Sequence, residues 1–507
     1  MSLTRSLLLL LAGALHAAST GWPLDLGWPR GHTLWPMQLV AMAVLAACLL
    51  RTRSAGQAFR SAWVFGTAYL ACTFWWLFVA MHTYGGLAAP LAVLAILLLA
   101  AALALYFALA CGLWWRLVQQ RPAMSPLLFA ALWMMAEMAR GTWLTGFGWG
   151  AGGYAHLDGP LAFFAPWVGV YGITALAAGL AMALAQSVFT SLQHRRLWGG
   201  VILTLTALML LPAGVNQWTQ SSGKLSVTLL QGNIPQNEKF EVGTGVQRAL
   251  QWYQSELLAA RTALVVAPET AFPVLPQELP ANYLEALRDH FADAGRSAIV
   301  GIPLGDDREG YSNSVLALPG AGGQALRYDK HHLVPFGEFI PPMFRWFTAL
   351  MHIPLGDFNR GALGQASFEV QGQRLAPNIC YEDLFGEELA ARFTGAASAP
   401  TVFVNVSNLG WFGDTVAVDQ HLSISRMRAL EFQRPFVRAT NTGATAILDH
   451  QGQITAALPR MTAGALVGEV QGREGLTPFA WWASRCGLWP LWLLGLAVVA
   501  WAWRRRA

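Results

Sequence analysis

Apolar positions fall in two regimes along the chain. Over the first two hundred residues, and again at the end, they form long runs, near 6–20, 34–50, 61–82, 88–115, 126–143, 162–189, 197–213 and 486–503. A helix needs about 20 apolar residues to cross a bilayer, so this pattern predicts seven spans, a large intervening region and an eighth span. The run at 6–20 follows Arg5 and ends "GALHAAS", which also fits a signal peptide. Either reading leaves the orientation of the later spans unchanged.

From about Lys224 the runs shorten and are bounded by turn residues, as in "LSVTLLQGN", "ALVVAPET", "SAIVGIPLG", "APTVFVNVSN" and "FVRATNTG". Amphipathic stretches such as "QRALQWYQSELLAAR" and "PANYLEALRDHFADAG" lie between them. Strands alternating with helices predict one sizeable α/β domain, and near-continuous apolar strands predict sheets covered on both faces. The expected division is a transmembrane bundle over 1–222, an extracytoplasmic α/β domain over 223–477 and a last membrane helix over 478–507.

Composition agrees with the pattern. Hydrophobic residues make up 55% of the 507 positions and charged residues only 12%, against about 25% charged in ordinary soluble domains. Mean hydropathy is +0.40. The net charge of +5 divides into +11 on the membrane-like parts and −6 on the middle region. Arginines gather in "RTRSAGQAFR", "WWRLVQQR", "QHRR" and the terminal "RRR". The positive-inside rule therefore predicts cytoplasmic termini and a middle region on the outer side. Because the basic residues sit in loops between apolar runs, the charge does not predict nucleic-acid binding.

Three chemically capable residues recur at the ends of apolar strands. Glu269 ends "ALVVAPE", Lys330 follows "ALRYD", and Cys380 ends "RLAPNI". Strand ends are where ligands gather on α/β scaffolds. Cys48, Cys72, Cys111 and Cys486 fall in or beside membrane runs, which leaves Cys380 without an obvious disulfide partner, either inert in the core or reactive. Lys330 is one of only three lysines beside thirty arginines, which suggests a role for a compact ammonium. Glu269 lies between prolines in "APETAFP", on a stiff turn suited to a general base. Together the three describe a base, an oxyanion-stabilising cation and a thiolate nucleophile. The sequence carries no GxGxxG, Walker loop, HExxH or paired CxxC, so nucleotide and zinc readings have no support.

The ordered segments "APETAFP", "YDKHHLVPFGEFIP" and "NICYEDLF" resemble the Glu-Lys-Cys signature of the nitrilase superfamily. With seven spans before that domain and one after, the chain is similar throughout to the apolipoprotein N-acyltransferase family. The resemblance implies an αββα sandwich inserted before the last helix of an eight-helix bundle. It implies Cys380 as nucleophile, Glu269 as base, and Lys330 as oxyanion stabiliser together with the Tyr381 N–H. Glu338, Tyr381 and Glu382 match supporting residues, and Phe240 stands where the family leads one to expect tryptophan. The implied reaction moves the sn-1 acyl chain of a phospholipid, typically phosphatidylethanolamine, through a cysteine thioester to the α-amino group of a diacylglyceryl-cysteine apolipoprotein, with no metal or cofactor. The expected setting is the bacterial inner membrane, with the active domain periplasmic and the enzyme a monomer.

Both substrates are lipid-anchored, so the apolar stretches "IPPMFRWFTALMHIPLG", with Phe344 and Trp346, and "NLGWFGD", with Trp411 and Phe412, are expected to form arms that touch lipid. Ordinary core packing remains the alternative. Glu137 and Arg140 in "AEMARG" are an ionisable pair within a span, fitted to a headgroup or to a structural contact. The competing functions are a membrane-tethered amidase or hydrolase of the same fold, and a transporter or sensor whose outer domain binds ligand. Almost no ionisable groups occur in the spans, which counts against a solute pathway.

Overall fold

The structure is a computed structural model that describes residues 2–119, 122–189, 216–241, 243–321, 325–340, 358–395 and 397–504, with Gly199, Gly200, Leu203, Ala207 and Gly323. Two compact units result. One comprises Met1–Phe78, Ala88–Gln217 and Cys486–Ala507, and the other Val79–Leu87 and Trp218–Arg485.

The first unit is helical: α1 (Leu3–Ser19), α2 (Trp35–Leu50), α3 (Ala55–Thr73), α4 (Ala89–Val118), α5 (Ser125–Thr142) and α6 (Ala165–Phe189). The Ser2 and Ser54 side chains accept the free N–H groups of Arg5 and Gln57, capping α1 and α3. Pro36, Pro90 and Pro126 sit in the first turns of α2, α4 and α5, where a missing N–H costs nothing. A side chain at Gly13 would lie 2.4 Å from the Phe65 carbonyl, so glycine is what allows α1 to approach α3 this closely.

Among the described residues, Ala89–Val118, Pro122–Thr145 and Pro160–Val188 are long and apolar enough to cross a membrane. The expected third span, 61–82, is placed differently: α3 starts at Ala55 and stops at Thr73. Its polar first turns escape an apolar-run search, and the run's far end becomes a separate π-helical segment, Val79–Tyr84, grouped with the second unit. The expected last membrane helix over 478–507 is broken as well. Pro478–Cys486 and Trp489–Arg504 meet at 88°, across Gly487 at φ +52°. The expected span at 197–213 lies almost wholly outside the described residues. Glu137 and Arg140 are fully buried and paired at 3.3 Å, and Arg140 also donates to the carbonyls of Phe147 and Trp149.

The second unit has two six-stranded sheets. The first contains β1 (Thr219–Gln231), β2 (Leu264–Val266), β3 (Ser297–Asp306), β4 (Gly310–Leu318), β5 (Leu326–Asp329) and β12 (Gly464–Gly475), in the order β12-β1-β2-β3-β4-β5. The second contains β6 (Phe368–Val370), β7 (Gln373–Ile379), β8 (Val402–Ser407), β9 (Phe436–Thr440), β10 (Ala446–Leu448) and β11 (Ile454–Ala457), in the order β11-β10-β9-β8-β7-β6. Each sheet has three central parallel strands, β1-β2-β3 and β7-β8-β9, extended by antiparallel ones.

Strand alternation builds the layers. Val402, Val404 and Val406 of β8 meet Leu225, Val227 and Leu229 of β1 in the core between the sheets. Phe403 and Phe436 face the other way, toward Ala429 and Phe432 of α7 (Val416–Phe432). Val265, Ala298 and Val300 similarly face helices Gly245–Ala259 and Tyr283–Asp293, through Leu250, Tyr253, Leu287 and Phe291. The result is the nitrilase-like α/β architecture of helix, sheet, sheet and helix.

Candidate functional site

Glu269 lies three residues beyond β2, Lys330 directly after β5, and Cys380 directly after β7. The structure brings Glu269, Lys330 and Glu338 into contact. Lys330 Nζ donates to Glu338 Oε1 at 2.8 Å and to Glu269 Oε1 at 3.4 Å. Asn313 Nδ2 donates to the same two oxygens at 2.7 Å each. The remaining oxygens are held by backbone: Asn408 N–H reaches Glu269 Oε2 at 2.9 Å, and Val334 N–H reaches Glu338 Oε2 at 2.8 Å. Burial alone depresses the Lys330 ammonium, but Glu338 and then Glu269 outweigh it and hold the group above its ordinary value. Lys330 is therefore a fixed positive charge between two carboxylates.

Cys380 is partly exposed and sits at φ +52°, in the left-handed region that side chains normally avoid. That turn is held from below. Its carbonyl accepts from His421 Nε2 at 3.1 Å and from Asn405 Nδ2 at 3.3 Å. His421 Nδ1 lies 2.7 Å from Arg438 and its Nε2 3.2 Å from Asp383 Oδ1. Arg438 also pairs with Asp383 at 3.0 Å. Burial pushes Asp383 up, but His421, Arg438 and Ser425 outweigh it and hold the carboxylate below its ordinary range. The Cys380 thiol is pushed well up by burial and then by Glu269, with Lys330 opposing.

Glu382 ties two segments together. Its Oε2 accepts from the Ile379 N–H at 2.6 Å and the Tyr328 hydroxyl at 2.8 Å, and its Oε1 accepts from the His331 N–H at 2.7 Å. Burial raises its pKa, with those donors partly offsetting the effect. This anchors the Cys380 turn to the loop that begins at Lys330. Tyr381 is buried, with its ring against Phe385.

The Cys380 thiol and the Phe412 ring both contact a small cluster of Leu409, Val418 and Ala444. Trp411 is 36% exposed and meets the Tyr84 ring edge-on at 5.7 Å. Phe344 and Trp346 lie outside the described residues. Phe240 is half exposed, with Lys239 Nζ 5.9 Å from its ring centre. Among the described residues, no group of three or more His, Cys, Asp or Glu side chains could hold a metal.

Sequence reasoning did not single out Asn313, Asn408, Asn405, His421 or Lys239 for contacts with this site. A signal existed for the asparagines, which interrupt or end otherwise apolar strands in "YSNSVLAL" and "VFVNVSN". Nothing local marks His421, which sits on a helix with buried residues nearly all round.

The profile described as "Apolipoprotein N-acyltransferase N-terminal domain" matches residues 20–183, and that of "Carbon-nitrogen hydrolase" matches 226–478. The chain is 56% identical over 519 residues to the apolipoprotein N-acyltransferase of Verminephrobacter eiseniae, covering 98% of this chain and 95% of that protein. Identity is 47% over 486 residues to the Ralstonia nicotianae apolipoprotein N-acyltransferase, with 93% and 90% covered. It is 42% over 536 residues to the Bordetella bronchiseptica enzyme of the same name, with 98% and 96% covered.

Proposed function

We propose, on the premise that this chain belongs to the apolipoprotein N-acyltransferase family, that Cys380, Glu269 and Lys330 carry its acyl transfer through a thioester. The chain is an acyltransferase of lipoprotein maturation, with a phospholipid donor and a lipoprotein acceptor. The observation that carries the residue assignment is the left-handed Cys380 turn beside a buried lysine bracketed by two carboxylates.

In the first half-reaction Glu269 takes the Cys380 proton as sulfur attacks the sn-1 ester carbonyl. Lys330 Nζ and the Tyr381 N–H stabilise the tetrahedral oxyanion. The intermediate collapses, the C–O bond breaks, and Glu269 returns the proton to the leaving lysophospholipid oxygen. In the second half the α-amine of the diacylglyceryl-cysteine attacks the thioester, Glu269 accepts the amine proton, and collapse gives amide and restored thiol. A positioned base contributes about 10²–10⁴-fold to such steps. Burial and then Glu269 disfavour the resting thiolate, with Lys330 opposing, so the thiol needs a base beside it.

Glu338 holds Lys330 in place, and Glu382 and Tyr381 shape the turn around the nucleophile. Phosphatidylethanolamine as donor, a monomer, and a periplasm-facing catalytic unit in the inner membrane complete the reading. Trp411 and Phe412 form a lipid arm, since each acyl CH₂ kept from water is worth about 0.8 kcal/mol.

Mass spectrometry of the purified protein after mixing with phospholipid tests the assignment. The expected result is one acyl adduct on Cys380, absent in Cys380→Ala together with all transfer. Residual transfer by that variant refutes the nucleophile.

A further inference from the structure

The loop that follows β1 reaches Glu269 from behind, at two points. Lys239 on this loop is 0% exposed. Its Nζ donates to the Glu269 backbone carbonyl at 3.1 Å and to Thr270 Oγ1 at 2.6 Å. Three residues earlier, Gln236 Oε1 accepts from Asn408 Nδ2 at 2.8 Å, and it is the Asn408 N–H that holds Glu269 Oε2 at 2.9 Å. One loop thus braces both the backbone and, through Asn408, the carboxylate of the same residue.

The braced turn needs support, because Thr270 lies at φ +48°, where a β-branched residue is strained. A buried lysine is itself costly unless its N–H groups are satisfied. Here the two costs meet, since the nitrogen finds its acceptors in the turn it holds. Burial lowers the Lys239 pKa to about 7, with Glu269 pulling the other way. Ammonium and free amine both carry at least two N–H groups, so both hydrogen bonds survive loss of the proton.

We propose that Lys239 is a positioning residue for acyl transfer: by fixing the Glu269 carbonyl and the Thr270 hydroxyl, it sets the direction in which the Glu269 carboxylate meets the Cys380 thiol. This rests on the assignment of Glu269 as base. Lys239 acts through Glu269 and makes no contact with substrate.

The test compares wild type, Lys239→Met and Glu269→Gln as full-length purified proteins. Acylation of Cys380 by phospholipid is followed in single turnover, together with KM, the fraction of enzyme that can be acylated, and the thermal midpoint. Methionine keeps the length and apolar bulk but removes the donors. The expected result is an acylation rate about 10- to 100-fold lower, the scale of a misdirected catalytic group, with KM, acylatable fraction and thermal midpoint near wild type. A wild-type rate in Lys239→Met overturns the proposal. A loss confined to KM or to the acylatable fraction also overturns it, because that marks loosened binding or folding. If Lys239→Met does not fold, Thr270→Ala carries the test by removing the shorter of the two bonds. A lower rate at unchanged KM supports the proposal, and an unchanged rate overturns it. Glu269→Gln separates the two assignments: if it acylates normally, the base assignment has failed, whereas an inactive Glu269→Gln beside a normal Lys239→Met refutes the role of Lys239 alone.

Discussion

At Cys380 two unfavourable conditions are imposed on one residue. Its backbone is left-handed, a conformation costing about 1–3 kcal/mol, and its thiol is raised by burial and then by the Glu269 carboxylate. The first is offset by His421 and Asn405 on the carbonyl and by Glu382 on the preceding N–H. The second disfavours the thiolate, with Lys330 as the cation that draws the thiol back down; the proposed mechanism then needs a base in place. This gives a prediction with a definite sign. Alkylation of Cys380 by iodoacetamide, mapped by peptide mass spectrometry, should be slow at pH 8 and still rising above pH 9. Lys330→Met removes the charge that favours thiolate, so it should slow alkylation further and abolish transfer. Faster alkylation in Lys330→Met would show that Lys330 does not stabilise negative charge at the sulfur.

Among the elements, those with an unmixed hydrophobic period were the most legible. β1 and β8 could be read from short, near-continuous apolar runs bounded by turns, and the helices between strands from their amphipathic pattern, because burial on a covered sheet leaves few other patterns open. The positions of Glu269, Lys330 and Cys380 at strand ends were legible for the same reason. That Glu269 and Glu338 share Asn313 and Lys330 was not, since no periodicity in one segment reports the side chains of another. Helix α3 was misjudged because its polar start lies on an amphipathic turn and its apolar continuation is bulky aromatic sequence that leaves the helix. The "NLGWFGD" turn was read as an apolar arm on composition. The structure adds that Phe412 shares an apolar cluster with Cys380, which places that turn beside the proposed nucleophile. Replacing Trp411 and Phe412 together by Ser should therefore lower acylation by phospholipid about tenfold or more, with iodoacetamide labelling of Cys380 and the thermal midpoint little changed. Equal losses with lipid and with iodoacetamide would assign the pair to core packing instead.

For the molecule as a whole the decisive quantity is how charge is distributed across the membrane. The membrane-like parts carry +11 and the middle region −6, and the arginines favour the cytoplasmic side. Helix Trp489–Arg504 shows how this is fixed at the end of the chain. Trp489 and Trp492 lie at its start and Trp501 and Trp503 at its end, three of them strongly exposed, as expected of aromatic belts at two membrane interfaces. At about 1.5 Å per residue its 16 residues reach somewhat less than a 30 Å hydrocarbon core. A span of that length would set its terminal side chains at the headgroups rather than tilt. On the proposed topology, the three arginines that follow Trp503 would hold that end in the cytoplasm, and Gly487 would lie toward the opposite surface. A fluorescent protein fused after Ala507 should accordingly fold and fluoresce, while alkaline phosphatase fused at Gly487 should be active. Replacing Arg504, Arg505 and Arg506 by Glu should weaken this asymmetry. Active phosphatase after Ala507 in the unaltered chain would place the terminus outside, and with it reverse the side assigned to Cys380.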